Sequence, residues 1–220
     1  MNNYLSNICP LCKKIQSSDY YIDKNREYLH CDYCQLVYVS AEFHLSAPEE
    51  RKQYDCHDNN PEDQHYRKFL SRLFNPMLKR LEKQSCGLDF GSGPGPTLSV
   101  MFEEIGFTVF IYDKFYACDE SVFEKEYDFV TATEVIEHLA NPAEELNRLL
   151  TRIKPGGYLG IMTKLVDTRE RFKSWHYKND LTHICFYSQE TFLWIAQKYH
   201  LHVEFIGADV IILQKGKQLA

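Results

Sequence analysis

Apolar positions along this 220-residue chain change their spacing twice. Near the amino terminus Tyr20, Tyr21 and Ile22, then Tyr28 and Leu29, read as two short strands of a hairpin. Further on, Phe69, Leu70, Leu73, Phe74, Met77, Leu78 and Leu81 recur at three- and four-residue intervals. That spacing predicts an amphipathic helix over residues 62–83, bent at Pro76. From Gly87 onward, strands predicted over 87–90, 107–112, 128–133 and 158–163 alternate with helices over 97–105 and 189–199. The best-marked helix starts at Asn141 as cap, with Pro142 in its first position and Glu144 and Glu145 in its first turn. Leu146, Leu149, Leu150 and Ile153 line one face of it, and Gly156 follows its end. Strands over 202–206 and 210–214 are close enough to pair as a hairpin. The alternation predicts an α/β fold: a mostly parallel sheet with helices on both faces and a C-terminal antiparallel hairpin.

Composition narrows the class. With 44% hydrophobic and 25% charged residues the chain is globular rather than disordered. No apolar run approaches the roughly 18 to 20 residues of a membrane span, and the first residues lack a secretory signal's apolar core. A cytoplasmic location is therefore expected. The formal charge of −6 carries no positive field toward nucleic acid or anionic lipid. Residues 1–84 hold 12 basic and 12 acidic side chains, so the excess acid lies beyond them.

Four of the eight cysteines, Cys9, Cys12, Cys31 and Cys34, form two C-x-x-C pairs separated by 18 residues. In a reducing compartment this spacing indicates metal ligands, and four thiolates suit a tetrahedral zinc. Residues 1–40 are too few to bury a sufficient core, so the metal would supply folding energy to a zinc ribbon. Rubredoxin-like iron and a redox dithiol are the alternatives. Four basic against four acidic residues in this segment provide no phosphate-binding stripe, so the zinc is read as structural and nucleic acid as an improbable partner.

Four of the ten glycines fall in Gly87-Leu88-Asp89-Phe90-Gly91-Ser92-Gly93-Pro94-Gly95, directly after a strand and before a helix. Such a cluster lets backbone approach a ligand more closely than a Cβ would permit. Asp113, 22 residues after Gly91 and at the end of the next strand, is placed to accept hydrogen bonds from a ribose diol. The spacing G-x-G-x-G differs from the dinucleotide fingerprint, which argues against a dehydrogenase. With the segments Tyr127–Leu139 and Leu149–Leu159, the loop resembles the class I S-adenosylmethionine-dependent methyltransferases over about residues 85–215.

That resemblance implies a Rossmann-like fold in which Asp89, Gly91, Ser92, Gly93 and Gly95 line the S-adenosylmethionine site, and Asp113 holds the ribose. It further implies Phe115 or Tyr116 beside the adenine, and Thr133 and Glu134 near the sulfonium. Only 13 residues separate Asp113 from Tyr127, where relatives carry a helix, a strand and an acidic adenine contact; Asp119 is the candidate for that acid. His138, in Glu137-His138, is a candidate base because an imidazole titrating near 6.5 suits proton abstraction at neutral pH. Packing of the following helix is the alternative. His183, in the aromatic and polar run Trp175–Ser188, is the second candidate base; Trp175, Phe186 and Phe192 are equally well read as core.

The expected organisation is a zinc ribbon (1–40), a linker with amphipathic helix (41–84) and a methyltransferase domain (85–220). Residues 41–61 read as lid, linker or pocket wall. The expected activity is methyl transfer to a small-molecule acceptor: a sugar nucleotide, a quinol-like ring or a natural-product intermediate. Alternatives are an RNA methyltransferase gripping its substrate with the ribbon, and a non-catalytic nucleoside-binding protein whose ribbon recruits a partner. Oligomeric state is not legible in the sequence.

Overall fold

The computed structural model describes residues 8–56 and 59–217. The chain runs β1 (Ser17–Ile22), β2 (Glu27–Cys31), β3 (Val37–Val39), α1 (Ala47–Tyr54), α2 (Gln64–Leu78), β4 (Cys86–Phe90), α3 (Thr97–Glu103), β5 (Thr108–Tyr112), β6 (Tyr127–Thr133) and α4 (Pro142–Arg152). It continues through β7 (Ile153–Met162), α5 (Arg169–Ser174), β8 (Cys185–Phe186), α6 (Gln189–Tyr199), β9 (Leu201–Ile206) and β10 (Val210–Lys215). No helix among the described residues is long and apolar enough to cross a membrane.

The larger sheet has the order β5-β4-β6-β7-β10-β9. β5, β4, β6 and β7 are parallel, and β10 pairs antiparallel with both β7 and β9, as the terminal hairpin predicts. On one face α2 lays Leu70, Leu73 and Met77 against Phe129, Met162 and Ile212. Leu146, Leu149 and Leu150 of α4 and Phe192 and Ile195 of α6 belong to a second core with Leu88, Val130 and Ile161. The sheet ends at β5, and between Asp113 and Tyr127 the chain makes one 3-10 turn, Glu120–Glu124, with no strand. That edge is as short as the 13-residue spacing implies.

Two local expectations change. Ile153 does not continue the α4 stripe; it opens β7 and is buried there. Pro155 explains the early exit, because it disfavours helical backbone at the residue before it. Asn141 occupies the cap position of α4 without a side-chain capping bond; its backbone carbonyl accepts from Glu144 and Glu145 instead.

The smaller sheet, β1-β2-β3-β8, is completed by a strand from the carboxyl-terminal half, with Val37 opposite Phe186 and Tyr38 opposite Cys185. Tyr28, Val37, Val39, Phe172, Tyr177, Ile184 and Phe186 share a core beneath it. Phe186 and Phe192 are thus core side chains, as one of the two readings had it.

Candidate active site

A cleft of about 420 Å³ opens at the carboxyl ends of β4, β5 and β6, where ligands bind in open α/β sheets. Gly91 and Gly93 follow β4 in left-handed backbone, at φ +75° and +65°. A Cβ on Gly91 would stand 2.3 Å from Val135 Cγ2, so no other residue fits that turn without displacement. The Gly91 and Ser92 amides donate to the Tyr112 carbonyl at 2.7 and 3.2 Å, tying the loop to β5. Asp113 completes the tie: its Oδ2 accepts from Gly93 N at 3.0 Å, and its Oδ1 from the amides of Phe115 (2.8 Å) and Tyr116 (3.1 Å). The carboxylate therefore organises both loops, and Oδ2, with one donor against two on Oδ1, keeps a lone-pair site for a further donor.

Gly91, Ser92, Gly93, Asp113, Phe115, Thr133, Glu134, His138 and His183 all line this cleft. Four other candidates do not. Gly95 stands behind it, where an added Cβ would be 1.8 Å from the Asn59 carbonyl oxygen; its role is close packing of that segment. Asp89 is buried under the loop and accepts from the Thr131 hydroxyl at 2.8 Å, and burial pushes its carboxyl up to about 7. Glu137 is fully buried behind His138, where the Tyr177 and Thr163 hydroxyls donate to its two carboxylate oxygens. Asp119 caps the 3-10 turn through Ser121 N and does not line the cleft.

A buried and a half-buried carboxylate flank Tyr177, whose hydroxyl also reaches Glu134 Oε2 at 3.1 Å. Burial, reinforced by the Glu134 charge, raises the Glu137 carboxyl to about 8. Glu134 holds left-handed backbone at φ +52°, and its amide donates a hydrogen bond to the Met162 carbonyl at 2.8 Å. Backbone held in this sparsely populated region clusters at functional sites.

His138 does not keep the proton affinity expected for a free imidazole. Burial, and then the neighbouring His183, pull it down to about 3, and burial lowers His183 as well. The two rings meet nearly edge to face with centroids 4.7 Å apart. His138 Nδ1 lies 3.1 Å from the Thr182 carbonyl and His183 Nδ1 lies 2.7 Å from the Tyr177 carbonyl. A carbonyl only accepts, so both Nδ1 atoms carry the proton and both Nε2 atoms are left with a lone pair.

Of the segment read as lid, linker or pocket wall, Tyr54 and Asn59 line the cleft. Tyr54 on α1 sets its ring against His138 at 5.3 Å and Phe115 at 5.9 Å, and donates to Glu50 Oε1 at 2.7 Å. Lys114 reaches the same oxygen at 2.7 Å, and the Tyr116 hydroxyl donates to Asp55 at 2.6 Å. Tyr66 and Phe69 of α2 close another side. Sequence reasoning assigned Tyr66, Phe69 and Tyr54 no site role; a tyrosine in so polar a stretch as 46–56 was the available signal. Within 175–188, only Asp180 and His183 line the cleft.

A family model described as a methyltransferase domain matches residues 63–204. The chain belongs to this family of S-adenosylmethionine-dependent methyltransferases. No curated protein matches its sequence. Among solved structures, a chain of the Haloferax volcanii complex between the Trm112 methyltransferase activator and a methyltransferase is similar at 13% identity and a TM-score of 0.55, covering 80% of this chain and 100% of that one. The 1,6-didemethyltoxoflavin-N1-methyltransferase of Burkholderia thailandensis, with bound 1,6-didemethyltoxoflavin and S-adenosylhomocysteine, aligns at 14% identity and a TM-score of 0.52, covering 91% and 100%. A methyltransferase of Archaeoglobus fulgidus aligns at 19% and 0.52, covering 68% and 94%. At these identities the likeness is one of fold.

The four cysteines of the two C-x-x-C pairs precede the matched region. Cys9 Sγ lies 3.5 Å from Cys34 Sγ, and Cys12 Sγ 3.4 Å from Cys31 Sγ; all four lie within 4.8 Å of one another. Zinc–thiolate bonds of about 2.3 Å put tetrahedral sulfurs about 3.8 Å apart, so the quartet fits. The two knuckles repeat one geometry: Lys13 and Gln35 take φ of 60° and 61°, and their amides donate to the carbonyls of Cys9 and Cys31 at 2.9 Å.

Proposed function

We propose that this methyltransferase acts on a small or medium polar metabolite held against the wall formed by His138, Asp180 and His183. One observation carries the reading. Ser92 Oγ, Thr133 Oγ1, Glu134 Oε1 and Glu145 Oε2 are buried without a hydrogen-bond partner, and all four residues line the one cleft. An unpaired buried polar atom costs about 1–3 kcal/mol, so four around one cavity point to polar ligands that pair them.

Ser92, Thr133 and Glu134 would meet the methionine part of S-adenosylmethionine, Asp113 the ribose, and the rings of Phe115 and Tyr116 the adenine. The bound cofactor supplies an electrophilic methyl group on a sulfonium. Alignment and exclusion of water fall to the protein, and α1 with Tyr54 serves both ends. Asp113, Glu134, Glu145 and Asp180 outnumber Lys114 on the lining, which disfavours a phosphate backbone as acceptor. The similar Burkholderia enzyme is bound to a small heterocycle, 1,6-didemethyltoxoflavin, in keeping with this reading. In the amino-terminal segment the four thiolates would hold one structural zinc.

The test is calorimetric titration with S-adenosylhomocysteine, followed by incubation with S-adenosylmethionine and fractionated extract while mass spectrometry scans for species that gain one CH2. Saturable binding and a methylated small molecule are expected. Turnover confined to RNA fractions overturns the acceptor class, and tight binding with no turnover in any fraction indicates a nucleoside-binding protein.

A further inference from the structure

We propose a second metal site, distinct from the four cysteines: a divalent cation of borderline hardness held by His138, His183 and Glu137 at the acceptor wall of the cleft. One ring nitrogen from each histidine and one Glu137 carboxylate oxygen lie within 4.8 Å of one another. Two imidazoles and a carboxylate form a donor set that suits Mn²⁺, Fe²⁺, Co²⁺ or Zn²⁺ and leaves coordination positions open.

Three features point to a cation there. Each imidazole gives its Nδ1 proton to a backbone carbonyl, at Thr182 and at Tyr177, and keeps Nε2 as the free lone pair; metal-binding histidines are oriented in this way. His183 Nε2 then confronts Asp180 Oδ2 at 3.7 Å, two acceptors with no proton between them. Glu137, fully buried, receives only the hydroxyls of Tyr177 and Thr163, and no lysine or arginine nitrogen stands within 4.0 Å of it among the described residues. A bound dication resolves all three, and the two hydroxyls become the outer contacts that orient the carboxylate.

The site itself stands without the methyl-transfer reading. Only its role rests on that reading: an ion bordering the cleft would bind an acceptor hydroxyl or carboxylate oxygen and stabilise a hydroxyl's deprotonated form, a task poorly suited to the buried imidazoles alone.

Full-length protein carrying one zinc per chain, with excess zinc removed, should be titrated with Mn²⁺ by electron paramagnetic resonance and with Co²⁺ by metal analysis after gel filtration. Mn²⁺ avoids a four-thiolate site, so its binding reads the new site alone. One ion per chain is expected beyond the zinc, with His183→Ala and Glu137→Gln each weakening it by about tenfold or more, and His202→Ala, on exposed β9, unchanged. Zinc content and melting temperature verify that the variants fold. Pulsed resonance on the unmodified protein adds a readout free of mutation: nitrogen couplings from imidazole on bound Mn²⁺. No saturable binding of either cation, binding indifferent to both substitutions, or bound Mn²⁺ without nitrogen coupling overturns the site. Those outcomes leave S-adenosylhomocysteine binding untouched, so the proposal fails separately from the methyltransferase reading.

Discussion

Arg26, in the turn between β1 and β2, donates through Nη2 to the backbone carbonyl of Asp180 at 2.8 Å. The same guanidinium reaches the carbonyls of Lys178 (2.6 Å) and Leu181 (3.0 Å) and the Tyr28 hydroxyl (2.9 Å), and it is almost fully buried. An amino-terminal residue thus grips the segment that brings Asp180 and His183 to the cleft. Arg26→Ala leaves those carbonyls unpaired and should lower stability by about 2–4 kcal/mol. Denaturant unfolding measures this, and hydrogen exchange should rise at residues 178–183. Unchanged exchange there would mean the grip is redundant.

Asp113→Ala should weaken S-adenosylhomocysteine binding by about 1.5–3 kcal/mol, the scale of hydrogen bonds to a charged group. It also frees the amides of Gly93, Phe115 and Tyr116. Calorimetry decides the matter, since equal affinity in the variant would remove Asp113 from the nucleoside site.

Gly91→Ala meets Val135 and carries left-handed backbone strain. A loss of about 2–4 kcal/mol is expected from the two effects together. Trimming the obstacle with Val135→Ala should recover the steric part and leave the conformational part; a double variant no better than the single one contradicts this account.

The Asp89 carboxyl, raised to about 7 by burial, is favoured in its protonated form by the fold. In the unfolded chain it titrates near 3.9. Its favourable contribution is complete below that pH and is lost as pH rises toward 7, by up to about 4 kcal/mol. Asp89→Asn, measured without cofactor, should flatten stability across this window and exceed the parent at pH 8. A parallel profile in both proteins would show the carboxyl to be ionised in the fold.

Metal analysis should find one zinc in the cysteine quartet, abolished by replacing Cys31 and Cys34 with serine. Tyr33, beside Cys34, meets Trp194 at 6.1 Å, so zinc loss should also alter tryptophan fluorescence. One zinc per chain retained by the double variant when His183→Ala is also present would exclude the four-cysteine set.

What the sequence by itself determined about this protein is local or strictly periodic. Alternating strands and helices, the glycines that no Cβ could replace, Asp113 at a strand end and two C-x-x-C pairs are all written in neighbouring residues, because backbone sterics and ligand spacing act over short separations. Tertiary structure alone decided which of these face the cleft. Gly95 is consumed by Asn59, Glu137 is turned from the cleft onto the hydroxyls of Tyr177 and Thr163, while Tyr54 is recruited from a segment with no apolar period. The partnership of Arg26 with Asp180 and the fall of His138 to about 3 likewise come from side chains far apart in the chain. Burial and long-range hydrogen bonds belong to the packed fold, and no pattern along one strand or helix encodes them.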